Sequence, residues 1–232
     1  MSGEKRRRTT KVAILGMASG HQRAPFYKHD WEVWGLNNGY LLWTDDNGKL
    51  PIHRWFELHP NSDLTRRRRP ADHQERLAAL TIPVYSFWPK NPWKVQHPRV
   101  YPLTKAVRVG RDYFACTFAY QIALALVEGF REIALYGTPL NGSREALIER
   151  PCVEWWLGLA EGRGVKVTVD HDQPIGLGRQ RFQYGLQDQD ERRAGYAFVN
   201  FQRVASQSWL LEESARILEL PEAYQGRGKA ER

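Results

Sequence analysis

Cysteine is scarce: the 232 residues hold two, Cys116 and Cys152, with no CxxC pair and no Cys/His cluster. That scarcity excludes a disulfide-stapled scaffold and a structural zinc site. Both thiols fall in segments that read as helical and are expected to be reduced and buried. No apolar run approaches the roughly 20 residues that span a bilayer. The opening MSGEKRRRTT offers no apolar stretch for a signal peptide, so a cytoplasmic protein without membrane contact is expected. Neither GxGxxG nor a Walker sequence occurs, and no internal repeat is visible.

What is present is ordinary core material. Hydrophobic residues make up 42% and charged residues 26%, the balance of a globular protein whose length suits one large domain. The formal charge of +8 suggests nucleic acid until it is located. Residues 1–10 carry +3, Arg66 to Arg69 carry +4 and residues 221–232 carry +1, which accounts for all of it. The body is therefore close to neutral, whereas a dedicated nucleic-acid binder spreads its basic residues over a folded face. Flexible basic arms still hold phosphate in a weak, salt-dependent way. The Arg66 to Arg69 run reads either as a solvated loop or as one that faces phosphate.

Short β-branched and aliphatic runs alternate with helical patterns along the chain. Lys11 to Leu15, Glu32 to Leu36, Arg54 to Leu58, Ile82 to Phe87, Glu132 to Tyr136 and Val165 to Val169 read as strands. Residues 71–80, Asp112 to Glu128 and 143–161 read as helices, the second with Phe114, Phe118, Ile122 and Leu126 on one face. Trp88 to Pro102 carries four prolines among aromatics and reads as an irregular, functional loop, with Trp88 and Trp93 placed to stack on a base or sugar. The alternation predicts an α/β fold, a Rossmann-like doubly wound parallel sheet covered on both faces. The expected organisation is a basic arm over 1–10, a nucleotide-binding domain over 11–172, a C-terminal helical segment over 173–220 and a disordered tail over 221–232.

In such a sheet, ligands bind beyond the carboxyl ends of the strands. Gly16-Met17-Ala18-Ser19-Gly20 reads either as a phosphate-wrapping loop, with backbone amides and the Ser19 hydroxyl as donors, or as a plain βα turn. Asn37 and Asn38 read either as contacts to a base or ribose or as a turn in left-handed conformation. His59, where a strand ends, is a candidate general base, with Glu57 on the same side of that strand; the alternative is a structural histidine. Arg150 and Glu154, at i and i+4, form either a surface ion pair or a phosphate clamp in which the acid orients the guanidinium.

The block Tyr113-Phe114-Ala115-Cys116-Thr117-Phe118-Ala119-Tyr120 and the block Gly129-Phe130-Arg131-Glu132-Ile133-Ala134-Leu135-Tyr136-Gly137 resemble the bacterial sialyltransferases that use CMP-sialic acid. They equally resemble a superfamily of 6-hydroxymethylpterin diphosphokinase-like proteins, many of them phage-encoded. Gly16, Ser19 and Leu36-Asn37-Asn38 resemble the family's Gly-rich loop and nucleotide-contacting element. The likeness covers about residues 11–40 and 110–170. It implies a nucleotide pocket lined by Ser19, Asn37 and Thr117, with Gly137 allowing close approach. Gly16, Gly20, Asn38, Cys116 and Thr138 extend that rim. The acid expected after Gly137 is replaced by Thr138-Pro139, and no position matches the sialyltransferase catalytic histidine.

Together these readings point to a transferase for glycosyl or diphosphoryl groups with a nucleotide or nucleotide-sugar donor. His59 and Glu57 would be catalytic, Arg150 and Glu154 would clamp phosphate, magnesium is an open companion and no resident metal is expected. The alternatives are a non-enzymatic phage accessory protein that holds nucleotide or nucleic acid through its basic arms, and an assembly subunit that forms homo-oligomers through its C-terminal helices.

Overall fold

The computed structural model describes residues 9–43, 51–62, 69–173 and 176–178. Among them, seven strands form one sheet: β1 (Lys11–Leu15), β2 (Trp31–Leu36), β3 (Arg54–Phe56), β4 (Val84–Ser86), β5 (Pro98–Val100), β6 (Glu132–Tyr136) and β7 (Lys166–Asp170). Every neighbouring pair is parallel, in the order β5-β4-β3-β2-β1-β6-β7. Four helices accompany it, α1 (His73–Ala78), α2 (Leu103–Val109), α3 (Thr117–Glu128) and α4 (Ala146–Gly162), with short 3-10 turns at His21–Arg23 and Gly39–Leu41. The expected α/β parallel architecture is the one observed. The basic arm up to residue 8, Arg66 to Arg68, and the C-terminal helical segment and tail beyond residue 178 lie outside the described residues.

Burial explains why these segments are strands. Val12, Ala13, Ile14 and Leu15 of β1 are fully buried, as a central parallel strand covered on both faces must be. On β3 the two-residue period sorts the aromatics. Phe56 stacks on Tyr85 at 4.8 Å and meets Trp34 at 5.4 Å, with Phe130 beyond. Trp55 points the other way, onto Tyr40 at 6.0 Å and Trp43 at 5.7 Å. Beneath the first of these layers the Arg54 guanidinium lies between Glu32 and Glu128, 2.7 Å from each, and over the Trp34 ring, joining β2 and β3 to the end of α3.

Three local readings change. Residues within Trp88 to Pro102 include a strand, β5, rather than only loop, because its pairing with β4 runs through His97 O and the Tyr101 N–H and asks no N–H of Pro98. The helix expected from Asp112 begins at Thr117, and Cys116 sits outside it in extended conformation (φ −158°) as the N-cap. The strand expected to run to Leu58 ends at Phe56, which frees Glu57, Leu58 and His59 to turn over the rim.

The chain leaves β1 toward β2 through β5 and returns on the opposite side of β1 to β6 and β7. The order of strands therefore reverses between β1 and β6, the place where open α/β sheets form their crevice. The two loops there are pinned together: Gly16 N–H donates to Tyr136 O at 2.7 Å and Ala18 N–H to Gly137 O at 3.0 Å. A Cβ on Gly16 would stand 2.2 Å from Gly137 O, and one on Gly137, which has φ +65°, would stand 2.4 Å from Ala18 O. Gly16→Ala is expected to destabilise the fold by more than about 2 kcal/mol, read as a lowered urea midpoint. An unchanged midpoint would show that the loops can part at little cost.

Candidate active site

The carboxyl ends of β3, β2, β1, β6 and β7 lie side by side and bring most of the expected positions to one rim. At β1, several of the loop's donors are engaged within the protein. Besides Gly16 and Ala18, Gly20 N–H donates to Gln22 Oε1 at 3.1 Å, and the Ser19 hydroxyl donates to the Asp172 carboxylate. Arg23 is held by Asp170 at 2.8 Å and Asp172 at 2.6 Å. This stretch fastens the β1 loop to the end of β7, an anchorage that the sequence reading had not foreseen. At β6, Thr138 is 1% exposed and its hydroxyl has no partner among the described residues. At β2, Asn37 adopts the left-handed conformation (φ +52°), and its buried Oδ1 likewise has no donor among the described residues.

A denser cluster stands at the end of β3. Glu57 follows Trp55 on the same face and is fully buried. Its Oε1 accepts the His59 backbone N–H at 3.1 Å and lies 2.7 Å from His59 Nδ1; its Oε2 lies 3.1 Å from Nε2 of His73 on α1. His73 Nδ1 is in turn 2.6 Å from the Tyr40 hydroxyl. A neutral His73 satisfies both contacts when Nε2–H donates to Glu57 and Nδ1 accepts from Tyr40. Burial pushes the Tyr40 hydroxyl up to about 12, so it remains a donor at neutral pH.

Arg69, the last residue of the arginine run, enters the same cluster. Its Nη1 donates to Asn38 Oδ1 at 3.1 Å, and its Nη2 lies 2.9 Å from His59 Nδ1 and 3.8 Å from Glu57 Oε1. One ring nitrogen cannot donate to a carboxylate and accept from a guanidinium together. The buried carboxylate is the stronger partner, which favours the tautomer with the proton on Nδ1, directed at Glu57, and the lone pair on Nε2. The His59 side chain is 45% exposed, so that lone pair sits on an accessible ring. Burial alone would raise the Glu57 pKa; hydrogen bonds from His59 and His73 and the Arg69 charge outweigh it and bring it down to about 2.

The remaining positions divide. Thr117 is buried at the start of α3, and burial pushes the Cys116 thiol beside it up to about 12, which leaves a neutral thiol and no nucleophile. Arg150 and Glu154 bond to one another at 2.7 Å on α4, the i,i+4 pair that spacing allows. Glu149, in the same helix, lies within electrostatic reach of His59, and burial and Glu145 raise its pKa. Trp93 is buried with its edge toward His73 at 5.1 Å, whereas Trp88 is 43% exposed and joins Pro60, Asn61, Pro89, Lys90 and Pro92 around an open groove of about 430 Å³. Among the described residues no three His, Cys, Asp or Glu side chains are arranged so that they could hold a metal ion, and no helix is long and apolar enough to cross a membrane. Sequence reasoning missed Tyr40 and His73, and it flagged Arg69 only as the end of a charged run that either is solvated or faces phosphate, without placing it beside Asn38 and His59.

No family model and no curated protein matches the chain. Solved structures do. The sialyltransferase CstII from Campylobacter jejuni with the substrate analogue CMP-3FNeuAc matches with a TM-score of 0.49 and 15% identity, over 72% of this chain and 83% of that one. The same enzyme with cytidine-5'-monophosphate matches with a TM-score of 0.47 and 14% identity, over 76% and 89%. An α-2,3-sialyltransferase from Campylobacter jejuni in apo form matches with a TM-score of 0.43 and 15% identity, over 86% and 96%.

Because the folded pKa of Glu57 lies below its ordinary value of 4.5, its contribution to stability is complete above about pH 4.5 and is lost as pH falls toward 2. The contribution is on the order of 3 kcal/mol. The difference in urea midpoint between the wild type and Glu57→Gln is expected to shrink across that window. A difference that stays constant from pH 5 to pH 2.5 would contradict the assigned ionisation.

Proposed function

We propose that this chain is a transferase that moves a glycosyl or diphosphoryl group from a nucleotide or nucleotide-sugar donor to an acceptor hydroxyl. The observation that carries this reading is His59, whose Nδ1 lies 2.7 Å from a fully buried carboxylate and whose ring is accessible at the carboxyl rim of a parallel sheet. Two strand spacings of about 4.8 Å separate β3 from β1, so the base stands about 10 Å from the crevice between β1 and β6.

The nucleoside side of the donor would lie toward that crevice. Asn37 Oδ1 and the Thr138 hydroxyl, buried polar atoms lacking partners among the described residues, are suited to its ribose or base. Gly137 would let the backbone come close there, and in this reading Thr117 and Asn38 would border the same space. The acceptor hydroxyl would give its proton to His59 Nε2 as its oxygen bonds to the transferred group, and the donor's phosphate would leave with the electron pair. Glu57 stabilises the imidazolium that forms, so the catalytic gain comes from position and charge rather than a covalent enzyme intermediate.

Thermal unfolding with CMP, UDP, GDP, ADP and ATP, with and without magnesium, tests the reading, since a ligand at 100 times its dissociation constant adds about 2.7 kcal/mol. One nucleotide is expected to raise the midpoint clearly, and Asn37→Ala to lose that rise while remaining folded. His59→Ala is expected to keep the rise and lose at least about 100-fold in turnover. A flat panel for the wild type would overturn the reading. Removal of residues 1–10 is expected to leave the rise intact, which an arm-dependent nucleic-acid binder would not permit.

A further inference from the structure

The arginine suited to phosphate is not the one that helical spacing suggests. Arg150 commits its Nε to Glu154 at 2.7 Å. Arg69 does the opposite. Its Nη1 is taken by Asn38, but its Nε is buried without an acceptor among the described residues. Nε and Nη2 form one edge of the planar guanidinium, the edge that receives two oxygens of a carboxylate or phosphate in parallel.

The state of His59 decides what that edge holds. With the Nδ1 proton directed to Glu57, Nη2 faces a nitrogen that has no lone pair to offer, and its nearest carboxylate oxygen is 3.8 Å away. The whole edge is then under-supplied with acceptors while the side chain is only 14% exposed. A buried donor without an acceptor is costly, a cost that an arriving oxyanion removes.

We infer that Arg69 binds an oxyanion of phosphate type through its Nε–Nη2 edge, directly beside His59. The inference rests on the reading above, in which that group is the donor's phosphate. Asn38 is the positioning residue that fixes the plane of the fork. Protonation of His59 during transfer would add a second positive charge next to the leaving phosphate.

Isothermal titration of the wild type, Arg69→Gln and Arg69→Lys tests this with three probes: inorganic pyrophosphate, the nucleoside monophosphate that raises the unfolding midpoint most (CMP if none does), and the corresponding nucleoside. The wild type is expected to bind the monophosphate at least about tenfold more tightly than the nucleoside. Arg69→Gln is expected to erase that preference without changing nucleoside affinity, and to weaken pyrophosphate by a similar factor. Arg69→Lys, which keeps charge but not the fork, is expected to fall between them, and it decides the matter alone if Arg69→Gln fails to fold. Wild-type affinity for both phosphates in the folded variants, or no phosphate binding by the wild type, would overturn the inference. Arg69-dependent pyrophosphate binding with no nucleotide binding would sustain the oxyanion site and overturn the nucleotide reading instead.

Discussion

The buried carboxylate of Glu57 is the interaction on which the rim depends. Removing a carboxylate from water costs several kcal/mol unless hydrogen bonds and opposite charge replace the lost solvation. Here the backbone N–H and imidazole of His59, the imidazole of His73 and the guanidinium of Arg69 do so. His59 follows β3, His73 lies on α1, Tyr40 behind it belongs to the 3-10 turn after β2, and Arg69 precedes α1. One ionised group thereby ties together segments that also pack through the rings of Tyr40, Trp55, His73 and Trp93. The same requirement fixes which nitrogen of His59 carries the proton.

The sheet supplies the rest. A central strand buried on both faces cannot shift its register without moving apolar side chains across the sheet, so the ends of β1, β6 and β2 are placed as firmly as the core is packed. The strand order reverses between β1 and β6, and the close approach of Gly16 to Gly137 holds the two loops there against each other. Asp172, through Ser19 and Arg23, ties the outer strand to the same loop. Buried polar atoms without partners among the described residues include Asn37 Oδ1 at the end of β2 and the Thr138 hydroxyl just after β6. The rim thus combines rigid backbone with local polar capacity, which is the condition for a pre-organised site.

The parallel sheet was legible because its central strands are unbroken apolar runs between glycine-rich turns, a pattern that survives without any tertiary information. β5 was hidden by Pro98, which argues against a strand in general but not at a position whose N–H is not needed. α2 was hidden because only Ala106 of its seven residues is buried, leaving no stripe to recognise. Glu57 and His59 were legible as a pair through their spacing. Their partners were not: nothing in the sequence near His73 or Tyr40 tells that they converge on a residue in β3, since that contact arises from the crossover path. The arginine run was ambiguous for a related reason. Four like charges in a row look solvated, yet Arg69 packs against Asn38 and His59.

The most direct test of this account is the tautomeric state of the two histidines, read from nitrogen-15 chemical shifts and long-range ring correlations at neutral pH. His59 is expected with its proton on Nδ1 and a lone pair on Nε2, and His73 with its proton on Nε2. Finding the His59 proton on Nε2, with Nδ1 accepting from Arg69, would contradict the account, because the carboxylate would then orient no base and the rim would lose its proposed chemistry.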